Sequence, residues 1–387
     1  MNQSNDASLL PAAEAAARLG VKLETLYAYV SRGRLRSVVV PGTRERHYRA
    51  SDIAAFLAAR GGARPVSEIA GETLTPVIES SICLIDDGRL YYRGRDAVRL
   101  SDAAALEDIA DLLWGVPDDR SSPAGGDASA TPDAGPSGVI ERGQARMAAL
   151  AAAEPPPPDL HRSAVGRAGR IILRELVACA TGSKSTAAPA HRLLAASWGL
   201  DDQAADLLRR CLVLLADHEL NASTFVARCV ASTGAGPYAA VSAALGALSG
   251  PRHGGAGLRA ETMFRGLAKD GDPVSAMVGR LSHGEPVPGI GHPLYPNGDP
   301  RAVAILYALS GLRPQVRRFV GWRPNVDFAL AAVATILDLP PGASLALFVV
   351  GRSAGWIAHA IEQYESGILI RPRARYTGPR PAERPSG

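Results

Sequence analysis

The sequence predicts an all-α protein that carries a small, separately folded module at its N-terminus. Three observations point there. From Asp159 onward apolar residues recur at helical spacing in one segment after another, interrupted by Gly and Pro at lengths suited to short connections. No strand followed by Gly-x-Gly-x-x-Gly and a helix occurs, which argues against a nucleotide-binding α/β fold. Charge is also unevenly spread: the first 60 residues carry nine basic and five acidic side chains, whereas the remaining 327 carry 33 of each. A hydrophobic content of 47% supplies a substantial core and excludes global disorder, while 40 Gly and 29 Pro require turn-rich stretches.

The N-terminal module reads from Leu9 to Arg60. An Ala-rich helix, PAAEAAARLG, closes at Gly20, and a second, LETLYAYVSRG, closes at Gly33. Two helices joined by a short Gly-containing turn form a helix-turn-helix pattern. RLRSVVVPGTRERHYR then reads as a β-hairpin turning at Pro41-Gly42, and Ser51 caps a last helix, SDIAAFLAAR. This order resembles the small winged helix-turn-helix domains of the excisionase and MerR type. Thr25, Tyr27 and Tyr29 lie on the expected recognition helix, with Arg32, Arg34, Arg36, Arg44 and Arg46 beside it for phosphate contacts. A helical self-association module with solvated arginines is the alternative.

A different texture begins at Glu79. Ile82 and Leu84 precede the turn signal Asp86-Asp87-Gly88, and Leu90 and Tyr92 resume the alternation, so a short hairpin is expected, followed by a capped helix. Residues 117–138 hold almost nothing to bury and read as a disordered insertion; Pro155 to Pro158 read as an extended polyproline break. Helices follow in VGRAGRIILRELVACA, DDQAADLLRRCLVLLADHEL, ASTFVARCVAST, GPYAAVSAALGALSG, SAMVGRLS, PRAVAILYALSGL, FALAAVATILDL and SLALFVVGRSAGWIAHAIEQY. Cys83, Cys179, Cys211 and Cys229 are scattered, without a C-x-x-C pair, which suits a reduced cytoplasmic setting. The first ten residues lack a secretory pattern and no run of about 18 apolar residues occurs, so no membrane association is expected.

The candidate chemistry lies in histidines next to helix ends: His218 in ADHELNAST, His253 in SGPRHGGAG and His292 in PGIGHPLYPNGDPR. Gly254-Gly255 allows backbone to approach a ligand and to offer N–H groups at a helix start. No His pair at i, i+4 and no carboxylate or Cys at ligand spacing supports a metal, and no G-x-S-x-G supports a nucleophilic serine. Taken singly, each of these histidines reads as structural.

Together, ESSICLIDDGRLYYRG, ADHELNASTFVARCVAST, SGPRHGGA, GIGHPLYPNGDPRA, RPNVDF, GRSAGWIAHAIEQ and IRPRARYTG resemble, in order, the sequential motifs of citrate synthase across residues 75 to 378. That resemblance implies a homodimeric, mostly helical enzyme with citrate synthase-like large and small domains, fused to the winged helix-turn-helix domain. The domains would be residues 1–62 (helix-turn-helix), 63–254 with 351–387 (large) and 255–350 (small). It implies condensation of acetyl-CoA with oxaloacetate and hydrolysis to citrate and CoA, an acyltransferase of the tricarboxylic acid cycle. No cofactor would be tightly bound. Asp327 would be the base, His253 the donor to the enol oxygen, and His292 the donor to the ketone. His218, Arg301 and Arg352 would hold oxaloacetate, with Arg371 supplied by the partner subunit.

Two departures bear on acyl selectivity: Pro293-Leu294-Tyr295 stands where many bacterial members have Arg-Val-Tyr, and Ala256-Gly257-Leu258 where many have Ala-Asn-Glu. 2-Methylcitrate formation from propionyl-CoA is the nearest variant. A transcriptional regulator with a ligand-sensing body is the rival from another class. His283 and His359 read as structural, His359 within an apolar helical stripe.

Overall fold

The computed structural model describes residues 9–19, 21, 23–31, 35, 37–39, 46–49, 52–53, 78–116, 138–154, 159–183, 188–269, 271–374 and 376–378. The chain divides into two compact units, Met1–Ile78 and Glu79–Gly387.

In the first unit the helices Ala12–Leu19 and Leu23–Ser31 sit against a small antiparallel sheet. Its middle strand, Arg46–Arg49, pairs with Val38–Val39 on one side and Leu9–Pro11 on the other. Leu9–Pro11 is a strand that helical periodicity does not anticipate. It is short and lies at the sheet edge, where a proline's missing N–H costs least. Leu10, Ala15, Ala16, Leu19, Leu26, Tyr29 and Tyr48 form the core. Tyr29, on the expected recognition helix, points inward, because it is three residues from Leu26 on the same helical face. Tyr27 is exposed and Thr25 half-buried. Arg46 donates to Ser37 Oγ at 3.2 Å. Arg32, Arg34, Arg36 and Arg44, and most of the helix expected after Ser51, lie outside the described residues.

The second unit opens with strands Cys83–Asp86 and Arg89–Tyr92, joined by Asp87 and Gly88, both at positive φ as a tight Asp-Gly hairpin demands. A third strand, Arg95–Asp96, pairs with the second. Asp96 then caps the helix Ala97–Leu100, its Oδ1 accepting from the Val98 and Arg99 amides. The remaining elements are helices, at or within a few residues of the expected segments. Val139–Ala153, Ala190–Ser197, the body of Gly254–Lys269 beyond its expected start and the 3₁₀ stretch Pro314–Trp322 are additional. Val139–Ala153 has six alanines among its 15 residues, so its sequence carries little apolar periodicity to read. Residues 117–137 and Pro155 to Pro158 lie outside the described residues.

Ala343–Ser366 is the axis of this unit, with 19 of its 24 residues buried. It is long and apolar enough to cross a bilayer, but 94% of its most apolar window is buried in protein. Leu106–Trp114, Arg162–Thr181, Asp202–Leu215, Ala222–Ala231 and Pro237–Leu248 pack around it. A second group of helices, Gly254–Lys269, Pro273–Ser282, Pro300–Leu309 and Val326–Ile336, packs around Phe264, Phe319 and Phe328, whose ring centroids are 4.9 to 5.8 Å apart. Glu261 ties the two groups together by accepting from the Gly342 and Ser344 amides at the start of the axial helix.

Close helix crossing fixes one glycine. A Cβ at Gly351 would lie 2.7 Å from Leu215 Cβ and 3.0 Å from the Leu212 carbonyl, both rigid parts of the neighbouring helix. Gly351→Ala is expected to lower the thermal midpoint by about 2 to 6 °C, because overpacking outweighs the gain in helix propensity. An unchanged or raised midpoint in a melting experiment contradicts this crossing geometry.

Candidate active site

Six of the residues named from sequence, His218, His253, His292, Arg301, Asp327 and Arg352, line one cavity of about 150 Å³. Each comes from an element end or a helix face that local sequence explains. Asn221 caps Ala222–Ala231, Asp299 caps Pro300–Leu309, and Asn325 caps Val326–Ile336, each through its side chain. These caps place His218, Arg301 and Asp327 within a few residues of helix starts. His253 immediately precedes Gly254–Lys269, and Arg352 projects from the axial helix. A larger groove, about 760 Å³, lies between Asp202–Leu215 and Pro300–Leu309, but its Asp102, Asp206 and Arg210 are already paired with one another.

Asp299 and Arg301 are the hub. Arg301 donates from Nε and Nη2 to the two Asp299 oxygens at 3.0 and 2.8 Å, a buried bidentate fork. Asp299 also accepts from the Arg301 amide and from the Val326 amide, both at 3.0 Å. Burial alone would lower the Arg301 pKa, but Asp299 keeps it raised. Arg352 is different. Its Nε donates to the Leu215 carbonyl, its guanidinium lies 4.8 Å from the Phe348 ring centroid, and its buried Nη1 has no hydrogen-bond partner among the described residues. Burial pulls its pKa down, with Asp217 opposing and Arg301 reinforcing the shift. A buried cation with an unused donor is a receptor for an anion.

The imidazoles are held neutral. Burial, then Arg301, Arg352 and His292, keep His218 well below the ordinary range. Burial and Arg352 bring His253 down to about 4, and burial followed by Arg301 lowers His292. His292 Nδ1 accepts the Leu294 amide at 3.1 Å, so the neutral ring carries its proton on Nε2, leaving that nitrogen as a donor. His218 Nε2 lies 2.9 Å from the buried Tyr295 hydroxyl. His253 Nε2 lies 2.9 Å from Ser223 Oγ, which also receives the Trp356 indole N–H at 3.1 Å. Ser223 Oγ also lies 2.9 Å from Asn221 Oδ1, so its single proton serves either that oxygen or His253 Nε2, and only in the second arrangement does the neutral ring carry its hydrogen on Nδ1 as a donor. Asp327 behaves oppositely: burial, with Asp299, pushes its carboxyl up to about 6 against the pull of Arg301 and Arg352. Among the described residues no side chain hydrogen-bonds its carboxylate. A Cβ at Gly257 would stand 3.3 Å from Asp327 Oδ1, closer than an ordinary van der Waals contact.

Arg371 lies in the exposed extended segment after the axial helix and does not line this cavity. His359 is buried, yet its surroundings are polar rather than an apolar stripe, since Asp217 and Arg228 flank its ring. His283 is exposed at a helix end, its Nδ1 against the Gly279 carbonyl. Sequence reading passed over Asp299, Ser223, Tyr295 and Trp356. Asp299 carries a legible signal, an Asp before Pro at a helix start; the other three are brought in only by tertiary packing. Among the described residues no group of three or more His, Cys, Asp or Glu is placed to hold a metal ion.

Comparisons with known proteins fit this geometry. The profile of the family described as "Citrate synthase, C-terminal domain" matches residues 175–373, a little over half of the chain, and that of "Helix-turn-helix domain" matches residues 9–61. A citrate synthase of Haloferax volcanii is 40% identical over 191 residues, covering 45% of this chain and 50% of that protein. The 2-methylcitrate synthase 1 of Corynebacterium glutamicum is 35% identical over 215 residues, covering 49% and 56%. The chain thus spans about half the length of the curated relatives it matches. A citrate synthase from the archaeon Thermoplasma acidophilum, solved as a ternary complex with carboxymethyl coenzyme A and oxaloacetate, superposes with a TM-score of 0.61 at 27% identity, covering 80% of this chain and 96% of that one. Fold and cavity thus define a helical protein of the citrate synthase type with an N-terminal helix-turn-helix domain. The chain belongs to the citrate synthase family.

The unpaired Arg352 predicts a ligand response. Saturating small dicarboxylates such as oxaloacetate should raise the thermal midpoint, and Arg352→Gln should lose most of that shift. Equal shifts in both proteins would show that the anion binds elsewhere.

Proposed function

We propose that the second unit condenses an acyl-CoA with oxaloacetate and hydrolyses the resulting thioester, releasing CoA. The observation that carries this reading is the contrast inside one cavity: a carboxylate with a raised pKa beside neutral imidazoles and an unpaired guanidinium. In this reading Asp327 takes a proton from the carbon next to the thioester, while His253 donates a hydrogen bond to the thioester oxygen as charge develops there. The enol carbon attacks the oxaloacetate ketone, forming the carbon–carbon bond, and His292 Nε2 gives its proton to the ketone oxygen. Water then cleaves the thioester. Arg352, Arg301 and His218 bind the oxaloacetate carboxylates, and Arg371 reaches the site of a partner subunit in a homodimer. CoA takes part as substrate and product, with no tightly bound cofactor.

A thiol-release assay with acetyl-CoA and oxaloacetate tests this, and absence of CoA release from either acetyl- or propionyl-CoA rejects it. Asp327→Asn is expected to lower kcat by about 10² to 10⁴ while oxaloacetate binding persists. The base works only as the carboxylate. Raising its pKa to about 6 therefore makes kcat/KM fall about tenfold per pH unit below that point, whereas a His253 at about 4 stays neutral through the same range. A profile flat down to pH 4.5 contradicts the assignment.

The missing side chain at Gly257, where a Cβ would crowd Asp327 Oδ1, supports acceptance of an acyl group larger than acetyl. Gly257→Ala should then reduce the propionyl-to-acetyl ratio of kcat/KM by about tenfold, the effect of one methyl group in a confined site; an unchanged ratio leaves acetyl-CoA as the better reading.

For the first unit we propose DNA binding, supported by the helix-turn-helix match and the exposed Tyr27 on its second helix. Fluorescence anisotropy with a short duplex should give an affinity falling linearly in log–log form with salt. Salt-independent or absent binding favours self-association instead.

A further inference from the structure

Behind His218 lies a chain of buried polar groups for which the chemistry above has no use. Asp217 is fully buried, and its Oδ1 accepts the Glu219 amide at 3.1 Å, closing the turn that presents His218. Glu219 sits at φ +52°, a left-handed conformation that a non-glycine residue keeps only when its surroundings enforce it. The Tyr92 hydroxyl, also buried, contacts the Asp217 carbonyl at 3.3 Å and its amide at 3.4 Å from the other side.

His359, fully buried on the axial helix, completes the enclosure. Its Nε2 stands 3.2 Å from Asp217 Oδ2, at ion-pair distance but out of hydrogen-bond alignment, and neither atom has an aligned partner among the described residues; the Cys83 thiol also faces the Asp217 carboxylate. Its Nδ1 lies 3.2 Å from Arg228 Nη1. A guanidinium has no acceptor, so Nδ1 must supply the lone pair, and a neutral ring then carries its proton on Nε2, facing the carboxylate. Arg228 is itself fixed, donating to Glu362 Oε2 at 2.7 Å and to Gln363 Oε1 at 2.9 Å. Ser81 holds the other Glu362 oxygen through its amide and its hydroxyl. Gly355, on the preceding turn of the axial helix, leaves the space that Asp217 occupies; a Cβ there would run into Asp217 Oδ2 and the Ala216 carbonyl.

We infer that Asp217 and His359 form a positioning pair, in which the Arg228-fixed ring of His359 holds the Asp217 carboxylate so that the strained 217–219 turn presents His218 to an anionic ligand in the cavity. The pair touches no substrate and acts only through His218. The inference deepens the proposed oxaloacetate site and rests on it.

Two amide replacements separate the two edges of the His359 ring. In His359→Gln the amide nitrogen reaches the place of Nε2 and keeps a donor for Asp217. In His359→Asn the shorter amide keeps an acceptor for Arg228 and loses that donor. Both variants lose packing, so melting measures the structural cost, while calorimetric titration with oxaloacetate measures positioning. The expected result is a Kd within about threefold of the unaltered protein for Gln and at least about tenfold weaker for Asn, the effect of removing the donor that faces a buried carboxylate. In the thiol-release assay the KM for oxaloacetate should follow the same pattern while the KM for the acyl-CoA stays put. Equal oxaloacetate Kd values in the two variants overturn the positioning role. Oxaloacetate binding without CoA release in the unaltered protein overturns the proposed reaction and leaves the Kd comparison decisive. No oxaloacetate binding to the unaltered protein overturns both.

Discussion

Asp299 is the constraint on which the rest of the cavity depends. One buried carboxylate accepts four hydrogen bonds, three from Arg301 and one from the Val326 amide. It therefore joins the start of Pro300–Leu309 to the start of Val326–Ile336 and fixes Arg301 within electrostatic reach of Asp327. Removing the carboxylate would leave a desolvated guanidinium uncompensated, which is far costlier than never having buried the pair. The fork also explains why the two arginines differ. Arg301 arrives at the cavity partly neutralised, whereas Arg352 retains an unused Nη1, so the demand for an anion falls mainly on Arg352.

Burial then sets every protonation state in one direction. The charged form of each group is disfavoured, so a carboxyl rises and imidazoles fall. Two arginines push the histidines further down and partly restrain the rise of Asp327. The outcome is a base and neutral donors coexisting near neutral pH without a metal ion being invoked. The same helical architecture provides the dryness: Phe348, Leu330 and Leu345 line the cavity alongside the polar groups.

How far this was legible in the sequence varies by residue. The helical body followed from periodicity, and the hairpin before Tyr92 from Asp87-Gly88. His218, Arg301 and Asp327 were legible because their neighbours, N-A-S-T, D-P-R and N-V-D, are helix-start signals as well as parts of recognisable motifs, whereas His253, His292 and Arg352 were legible through the motifs. What escaped depends on contacts distant in sequence. Trp356 and Ser223 are 133 residues apart and meet only in the fold. His359 looks apolar by its helical neighbours, yet Arg228 and Asp217 reach it from other elements. Tyr29 shares a helix with the exposed Tyr27, and only the packing against Leu26 and Tyr48 turns it inward. The strand at Leu9–Pro11 escaped because its partner, Arg46–Arg49, lies beyond both helices.

Burial holds Asp327 as a weakened acid in a cavity of neutral imidazoles, with Asp299 adding to the rise and Arg301 and Arg352 restraining it. A carboxyl-carbon NMR titration of the protein, with the Asp327 resonance assigned by its loss in Asp327→Asn, tests it directly. A midpoint near 6 is expected. A midpoint near 4, the value of a solvated aspartate, would contradict it.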